Sequence, residues 1–333
     1  MPRHRALVVL GSSFVTLTTI SCASVQRAPQ VELPKLPMGM GQAAIDAVTN
    51  DPDDEAALRV SPDGRFLLFN IVTTTKRPAR SFIDSFRSQV NGEERLLSFY
   101  QQNAISLIEI GKPGRTIVSQ EGAGDPGWFP DSKSFVFSML QGKQAMLATS
   151  TVGTGTAAVK FVSPTPCVAY DKSPAVSPSG QTILFSTVTA TEPGTIATME
   201  VKSSESKCKI LFPGESPQWA PSGRKFSFTR VVGGHNQVFT FDDAKNALTQ
   251  ITFGGFDNFE PAWSPDGRSI VFVTNRTGTP HIFTIAEDGS NLVQITQGPT
   301  SDRYPTWSRD GSIYFVSNAG GQQDIWRAKV QGR

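Results

Sequence analysis

Apolar and polar positions along this chain alternate in short blocks, each closed by a turn signal. Residues 259–272 read FEPAWSPDGRSIVF. Ser264-Pro265-Asp266-Gly267 is a turn tetrad: proline presets φ, aspartate bonds nearby backbone, and glycine takes the positive-φ position. Ile270 to Val273 is a continuous apolar run, the mark of a strand covered on both faces. His281 to Ile285 predicts a third strand, Glu287-Asp288-Gly289 a turn, and Leu292 to Thr296 an outer strand.

The block recurs. Residues 303–315 read RYPTWSRDGSIYF, 215–228 ESPQWAPSGRKFSF, 172–185 KSPAVSPSGQTILF, 125–137 DPGWFPDSKSFVF and 58–69 LRVSPDGRFLLF. The turn position falls at Pro62, Pro130, Pro178, Pro221, Pro265 and Arg309, with gaps of 68, 48, 43, 44 and 44 residues. A period near 44 is that of one four-stranded propeller blade. Trp128, Trp219, Trp263 and Trp307 share one position on the inner strand, with Val60 and Val176 in the other two copies. An indole at a fixed repeat position packs a core rather than binding a ligand.

These residues resemble the TolB-type propeller repeat, a WD-like motif, over about residues 45–333. The resemblance implies an all-β fold: a six-bladed β-propeller of four-stranded blades. The copies depart from the pattern at Asp131-Ser132, where Asp-Gly is expected, and at Arg309, where proline is expected. The α/β domain that precedes the propeller in TolB itself is missing. Residues 45–64 align without gaps on 292–311, so Ile45 to Thr49 corresponds to an outer strand. The last repeat ends after its third strand, Asp324 to Val330. An N-terminal strand completing the last blade would close the ring and remove a free edge.

The first residues read differently. Arg3, His4 and Arg5 precede an uncharged, mostly apolar run from Ala6 to Ile20, too short to span a membrane and suited to a secretory signal. Thr19-Ile20-Ser21-Cys22 resembles a bacterial lipobox, although Thr19 stands where leucine is usual. Residues 1–21 then form a lipoprotein-type signal peptide and Cys22 is the lipidation site. The other reading is an ordinary signal cut near Ala23. Residues 22–44, with Pro29, Pro34, Pro37, Gly39 and Gly41, read as a tether. The sorting that the resemblance implies is the periplasmic face of the outer membrane, with soluble periplasmic or cell-surface protein as alternatives.

Composition narrows the classes. With 29 glycines, 23 prolines and 22 phenylalanines among 333 residues, the chain suits short strands and tight turns. A net charge of +2 leaves no electrostatic footprint for nucleic acid. Three cysteines are too few for a disulfide-built scaffold. Cys167 follows the outer strand of the second repeat, and Cys208 opens the outer strand of the third. This places them towards opposite faces at the periphery, although an oxidising compartment would permit a bond.

The first gap is about 25 residues longer than the others, which puts an insertion at about 73–103. It carries Arg80, Arg87 and Tyr100 as binding candidates, and Ile83, Phe86 and Val90 at helical spacing. Long loops on rigid scaffolds are often functional, and a flap capping the ring is the alternative.

In a propeller the outer-to-inner connections and the second-to-third strand hairpins emerge on one face. The former carry Glu55, Asp125, Asp171, Glu215, Asp257, Glu260 and Asp302, at least one carboxylate per repeat, partly offset by Lys172 and Arg303. These predict a cation-attracting mouth, or else ordinary solvated loop charge. His235, Asn275, Arg276 and His281, on or near the hairpins, are weaker candidates.

The resemblance implies a non-catalytic envelope lipoprotein that docks a protein partner, since TolB propellers bind peptidoglycan-associated lipoproteins. Contact with the membrane would run through the lipid anchor only. A prolyl-oligopeptidase-type peptidase is disfavoured, because no Gly-x-Ser-x-Gly elbow is present and no hydrolase domain follows the ring. Two alternatives stand. One is a metal-dependent lyase, for which His235 and His281 lack metal-ligand spacing. The other is a glycan or peptidoglycan receptor with Phe99 and Tyr100 in its site. No catalytic residue, cofactor or metal is expected.

Overall fold

The computed structural model describes residues 25–27, 44–50, 53–72, 103–119, 121–154, 159–162, 167–168, 170–188, 194–201 and 208–330. The signal segment, Cys22, most of the tether and the insertion up to residue 102, with Arg80, Arg87 and Tyr100, lie outside the described residues.

Every element among the described residues is a strand. Two precede the repeats: β1 (Val25–Arg27) and β2 (Ala44–Ala47). Repeat one holds β3 (Asp54–Val60), β4 (Phe66–Val72), β5 (Asn103–Glu109) and β6 (Thr116–Ile117). Repeat two holds β7 (Ala123–Trp128), β8 (Ser134–Gln141), β9 (Gln144–Thr151) and β10 (Lys160–Phe161). Repeat three holds β11 (Tyr170–Val176), β12 (Thr182–Val188), β13 (Thr195–Glu200) and β14 (Lys209–Pro213). Repeat four holds β15 (Glu215–Trp219), β16 (Lys225–Val232), β17 (His235–Asp242) and β18 (Ala247–Gln250). Repeat five holds β19 (Asn258–Trp263), β20 (Ser269–Thr274), β21 (His281–Ala286) and β22 (Val293–Gln294), and repeat six β23 (Asp302–Trp307), β24 (Ser312–Ser317) and β25 (Asp324–Lys329).

Successive strands of each repeat pair antiparallel. Repeats one and five are separate four-stranded sheets, and repeat four carries β1 as a fifth strand beyond β18. Repeats two and three are continuous through one parallel bridge, Tyr170 to Ala145. The inner strands touch in the order β3, β7, β11, β15, β19, β23 and back to β3. This is the ring of blade-like sheets that defines a propeller.

Local chemistry explains the repeat. Ser61 Oγ accepts the Phe66 N–H (2.9 Å) while Asp63 Oδ1 accepts the Arg65 N–H (3.0 Å), and Ser264 and Asp266 do the same for Ser269 and Arg268. Ser179 and Ser222 stand in the carboxylate's place in repeats three and four, where each accepts the N–H two residues on. In repeat two Ser132 itself takes the left-handed conformation (φ 55°) that Gly64 and Gly267 take elsewhere. Asp131 compensates by accepting the N–H groups of Lys133 and Ser134. The apolar strand centres pack between neighbouring sheets. Leu68, Ile105, Trp128, Phe135 and Phe137 fill one gap, and Phe226, Phe228, Phe239 and Phe241 another. Trp128 and Trp263 are buried, while Trp219 is half-buried against the Phe226 cluster and Trp307 against that of Val271 and Phe315.

β2 completes the sheet of repeat six. It pairs antiparallel with β25, Ala44 opposite Lys329 and Ala47 opposite Trp326. Thr49 fastens the junction: its hydroxyl donates to Glu55 Oε2 (2.6 Å) and accepts the Ile325 N–H (2.7 Å).

Candidate functional site

Each inner strand is broken at the same point. Register shifts occur between Ala56 and Arg59, Gly124 and Gly127, Lys172 and Ala175, Glu215 and Gln218, Phe259 and Ala262, and Arg303 and Thr306. In each bulge one non-glycine residue is left-handed: Ala57, Asp125, Ser173, Ser216, Glu260 and Tyr304, all with φ near 50°. Five of the six are followed by proline, which can sit inside a strand only at an edge or a bulge because it has no N–H to give. A left-handed L-residue costs about 1–2 kcal/mol, so the surrounding fold holds these positions in place.

Side chains on and beside the bulges interact from one inner strand to the next. Asp125 Oδ2 accepts the Ser173 N–H (3.3 Å), and Glu260 Oε2 accepts the Tyr304 N–H (2.6 Å). One repeat's bulge side chain thus satisfies the next repeat's bulge backbone. Arg303 makes a forked pair with Glu260, with Nε 3.2 Å from Oε1, and lies over the Phe259 ring at 4.4 Å. Lys172 Nζ sits 3.3 Å from Glu215 Oε2. Arg59 Nη1 donates to the Leu58 carbonyl (2.8 Å), within electrostatic reach of Asp125, Glu260 and Tyr304. Burial pulls its guanidinium below the ordinary value, partly countered by the two carboxylates. Burial acts the same way on Arg303, but Glu260 outweighs it and holds the group above its ordinary value. Burial, reinforced by Glu260, raises the Tyr304 phenol, which stays protonated.

The sequence-predicted carboxylates separate into two groups. Glu55, Asp171, Asp257 and Asp302 are buried and tie loops together. Glu55 holds Thr49. Asp171 Oδ2 accepts the Cys167 N–H (2.8 Å), and burial pushes its carboxyl up to about 6 against that bond. Asp257 accepts from the Asn236 backbone and side chain and exchanges bonds with Asn275. Asp302 Oδ2 lies 2.9 Å from His281 Nδ1 and its Oδ1 accepts from Ser317 (2.6 Å). Asp125, Glu215 and Glu260 form the second group, on or next to the inner-strand bulges, beside Lys172, Arg303 and Arg59. The mouth is therefore a set of matched charges, because the inner strands supply a cation next to each of these carboxylates.

The weaker candidates spread out. His281 Nε2 is engaged by Thr279 Oγ1 (3.0 Å) and the Gly298 carbonyl (3.1 Å), so both ring nitrogens are occupied. His235 is partly exposed, 4.0 Å from Asp257. Arg276 lies over Phe256 and Phe283, and burial lowers its guanidinium to about 10. Among the described residues no three His, Cys, Asp or Glu side chains gather as a metal site.

Sequence reasoning missed Arg59 and Tyr304. A signal existed: aligned on the bulge, Arg59 stands in a column of Gly127, Ala175, Gln218, Ala262 and Thr306, and X-Pro inside a strand marks the bulge itself. The cysteines are a correction. Cys167 and Cys208 are joined, with Cα atoms 5.9 Å apart. Cys208 directly precedes Lys209, which pairs with Thr198 in the middle of β13 rather than at its end, so Cys208 lies part way along the rim. Both cysteines pack on the cluster of Val136, Ile183 and Phe185 between repeats two and three.

A family described as the TolB beta propeller domain matches residues 216–333. A protein assigned as TolB from Agrobacterium tumefaciens superposes with a TM-score of 0.54 at 23% identity, over 61% of this chain and 73% of that one. TolB from Acinetobacter baumannii gives 0.57 at 16% identity, over 82% and 78%. An oligogalacturonate lyase from Vibrio parahaemolyticus gives 0.54 at 10% identity, over 87% and 94%. No curated protein matches by sequence. At these identities the superpositions establish the propeller fold, which hosts many functions.

Proposed function

We propose that this chain is an exported, non-catalytic envelope protein whose six-bladed, TolB-like propeller docks a protein partner at the mouth of its central channel. Cys22 would carry the lipid anchor, on the periplasmic face of the outer membrane, and a peptidoglycan-associated lipoprotein is the partner class the resemblance suggests. The observation that carries the reading is the ring of matched charges on the inner strands: Arg303 with Glu260, Lys172 with Glu215, and Arg59 beside Asp125. Paired charges of both signs suit the polar recognition of another protein, where they set register and partner choice. They suit a lone metal ion poorly, and the engagement of both His281 nitrogens speaks against a histidine-held metal.

The test uses protein from residue 23 onward as bait against detergent-solubilised envelope, with cross-linked partners identified by mass spectrometry. The native bait should capture one dominant protein, and Lys172→Glu with Glu215→Lys should weaken its capture at least tenfold while the thermal midpoint stays within a few degrees. Undiminished capture by the folded variant would move the site off the channel. Metal-dependent turnover of oligogalacturonides without capture would support the lyase reading instead.

A further inference from the structure

The first described residues do not hang free. β1 adds to the outer edge of repeat four, with Val25 opposite Leu248, Gln26 opposite Thr249 and Arg27 opposite Gln250. It pairs parallel to β18, whereas all four strands of that repeat pair antiparallel. A parallel addition has a fixed polarity, and that polarity can be traced to the two ends of the sheet.

The mouth end of repeat four is the β16–β17 hairpin, where Val232 pairs with His235. The connection from β18 to β19 lies at the same end, since Asn236 bonds Asp257 and Gln237 Nε2 reaches the Gly254 and Phe256 carbonyls. The opposite end is marked by Lys225 paired with Asp242, and Asp242 with Ala247. β18 therefore runs from the far end at Ala247 towards the mouth at Gln250. Because β1 runs alongside in the same sense, Arg27 is its mouthward end and Val25 its far end. Read backwards, β1 therefore points at Val25 towards the face opposite the mouth. Cys22 is three residues away, a reach of about 10 Å at full extension.

We infer that β1 is an orienting clamp: it fixes the propeller on a lipid surface with the far ends of its sheets towards the membrane and the channel mouth towards the aqueous space. This rests on the reading of Cys22 as the anchor and adds what that reading lacks, a defined direction of presentation. A flexible tether of some twenty residues would let the ring tumble and show either face. A strand docked three residues after the anchor restricts it to one.

The test compares two ends of one sheet. Val231 and Lys245 lie at the mouth end and the far end of repeat four, roughly 20 Å apart along the strands, and both are well exposed. Val231→Cys and Lys245→Cys are made singly in the full-length protein, labelled with a donor dye and reconstituted into vesicles carrying a headgroup-labelled acceptor lipid. Energy transfer should be at least twofold greater from position 245. Replacing Val25–Arg27 by Gly-Ser-Gly should abolish the difference. The pair Gln26→Cys with Thr249→Cys should form a disulfide and preserve it. Equal or reversed transfer in the acylated protein, or no Gln26–Thr249 cross-link, overturns the inference alone. The mass of the N-terminal peptide is read separately. An unacylated Cys22 overturns the anchor reading, and this inference with it, whatever the transfer shows.

Discussion

Two junctions of the ring are fastened by different means. Between repeats two and three the chain is continuous, and the joint is covalent and tight. The bond from Cys167 to Cys208 pins the linking segment to the rim of repeat three, and β9 and β11 share a backbone bridge. Gly127 lets the strands approach so closely that a Cβ there would lie 2.4 Å from the Pro174 carbonyl oxygen. Between repeats six and one the chain crosses by way of β2, which belongs to the sheet of repeat six and precedes β3 of repeat one. That joint is built from buried polar groups: Thr49 holds Glu55 six residues on and the distant Ile325, and Asp54 Oδ1 accepts the Gln323 N–H (3.1 Å). Where the chain itself crosses, a cross-link need only hold a loop. Where the sheet is completed by a strand from the other end of the chain, its register is set by directional bonds such as those of Thr49 and Asp54.

This contrast can be broken in order of expected effect. Replacing Cys167 and Cys208 by serine removes a cross-link spanning 41 residues and should cost about 4 kcal/mol. Urea unfolding of oxidised and variant protein would read it, and an unchanged midpoint would mean the covalent joint adds nothing. Thr49→Val removes the hydroxyl that serves both the buried Glu55 carboxylate and the Ile325 N–H, for an expected loss of about 2–3 kcal/mol. A loss below about 0.5 kcal/mol would show that the closing network is dispensable.

Asp171, in the loop beside the disulfide, sharpens the comparison through pH. Its folded carboxyl titrates at about 6 against an ordinary 3.8, so between these values the folded chain keeps a proton that the unfolded chain has released. Stability from this group is fully present below pH 3.8 and falls as pH rises through 6. Asp171→Asn should therefore stabilise the protein by about 1–2 kcal/mol at pH 8 and by nothing at pH 3.5, less than the full shift because a charged acceptor for Cys167 is lost. A gain that does not depend on pH would refute the assignment. The smallest effect belongs to a third junction, repeats four and five, bridged at the far end by Lys225 and Glu287 at 3.2 Å in partly exposed positions. Lys225→Ala should shift unfolding by less than about 0.5 kcal/mol, since solvent screens such pairs.

The legibility of these features follows their physical origin. Turn tetrads and the tryptophan column could be read because each uses a residue type that few other local structures require. The closing strand could be read from the gapless match of residues 45–64 to 292–311, and β2 pairs with β25 as that match implies. The roles of the carboxylates could not. Glu55, Asp171 and Asp302 precede the left-handed residue by two positions and bond within the loops, whereas Asp125 and Glu260 are that residue and bond the next inner strand. Two residues of offset would keep one side in a regular strand, but the bulge interrupts the alternation, which spacing alone does not reveal. The disulfide was hidden for a similar reason: strand ends were assumed where β13 and β14 pair only part of their lengths.

The bulge has a wider meaning for how such a ring could diversify. Its six left-handed positions hold Ala57, Asp125, Ser173, Ser216, Glu260 and Tyr304, six residues drawn from five chemical types, on one unchanging backbone. The scaffold thus behaves like a typesetter's frame. The strands and turns fix where each character stands, while the characters can be exchanged one at a time without recasting the frame. A relative with the same sheets and a different set of six letters would present a different text to whatever enters the channel.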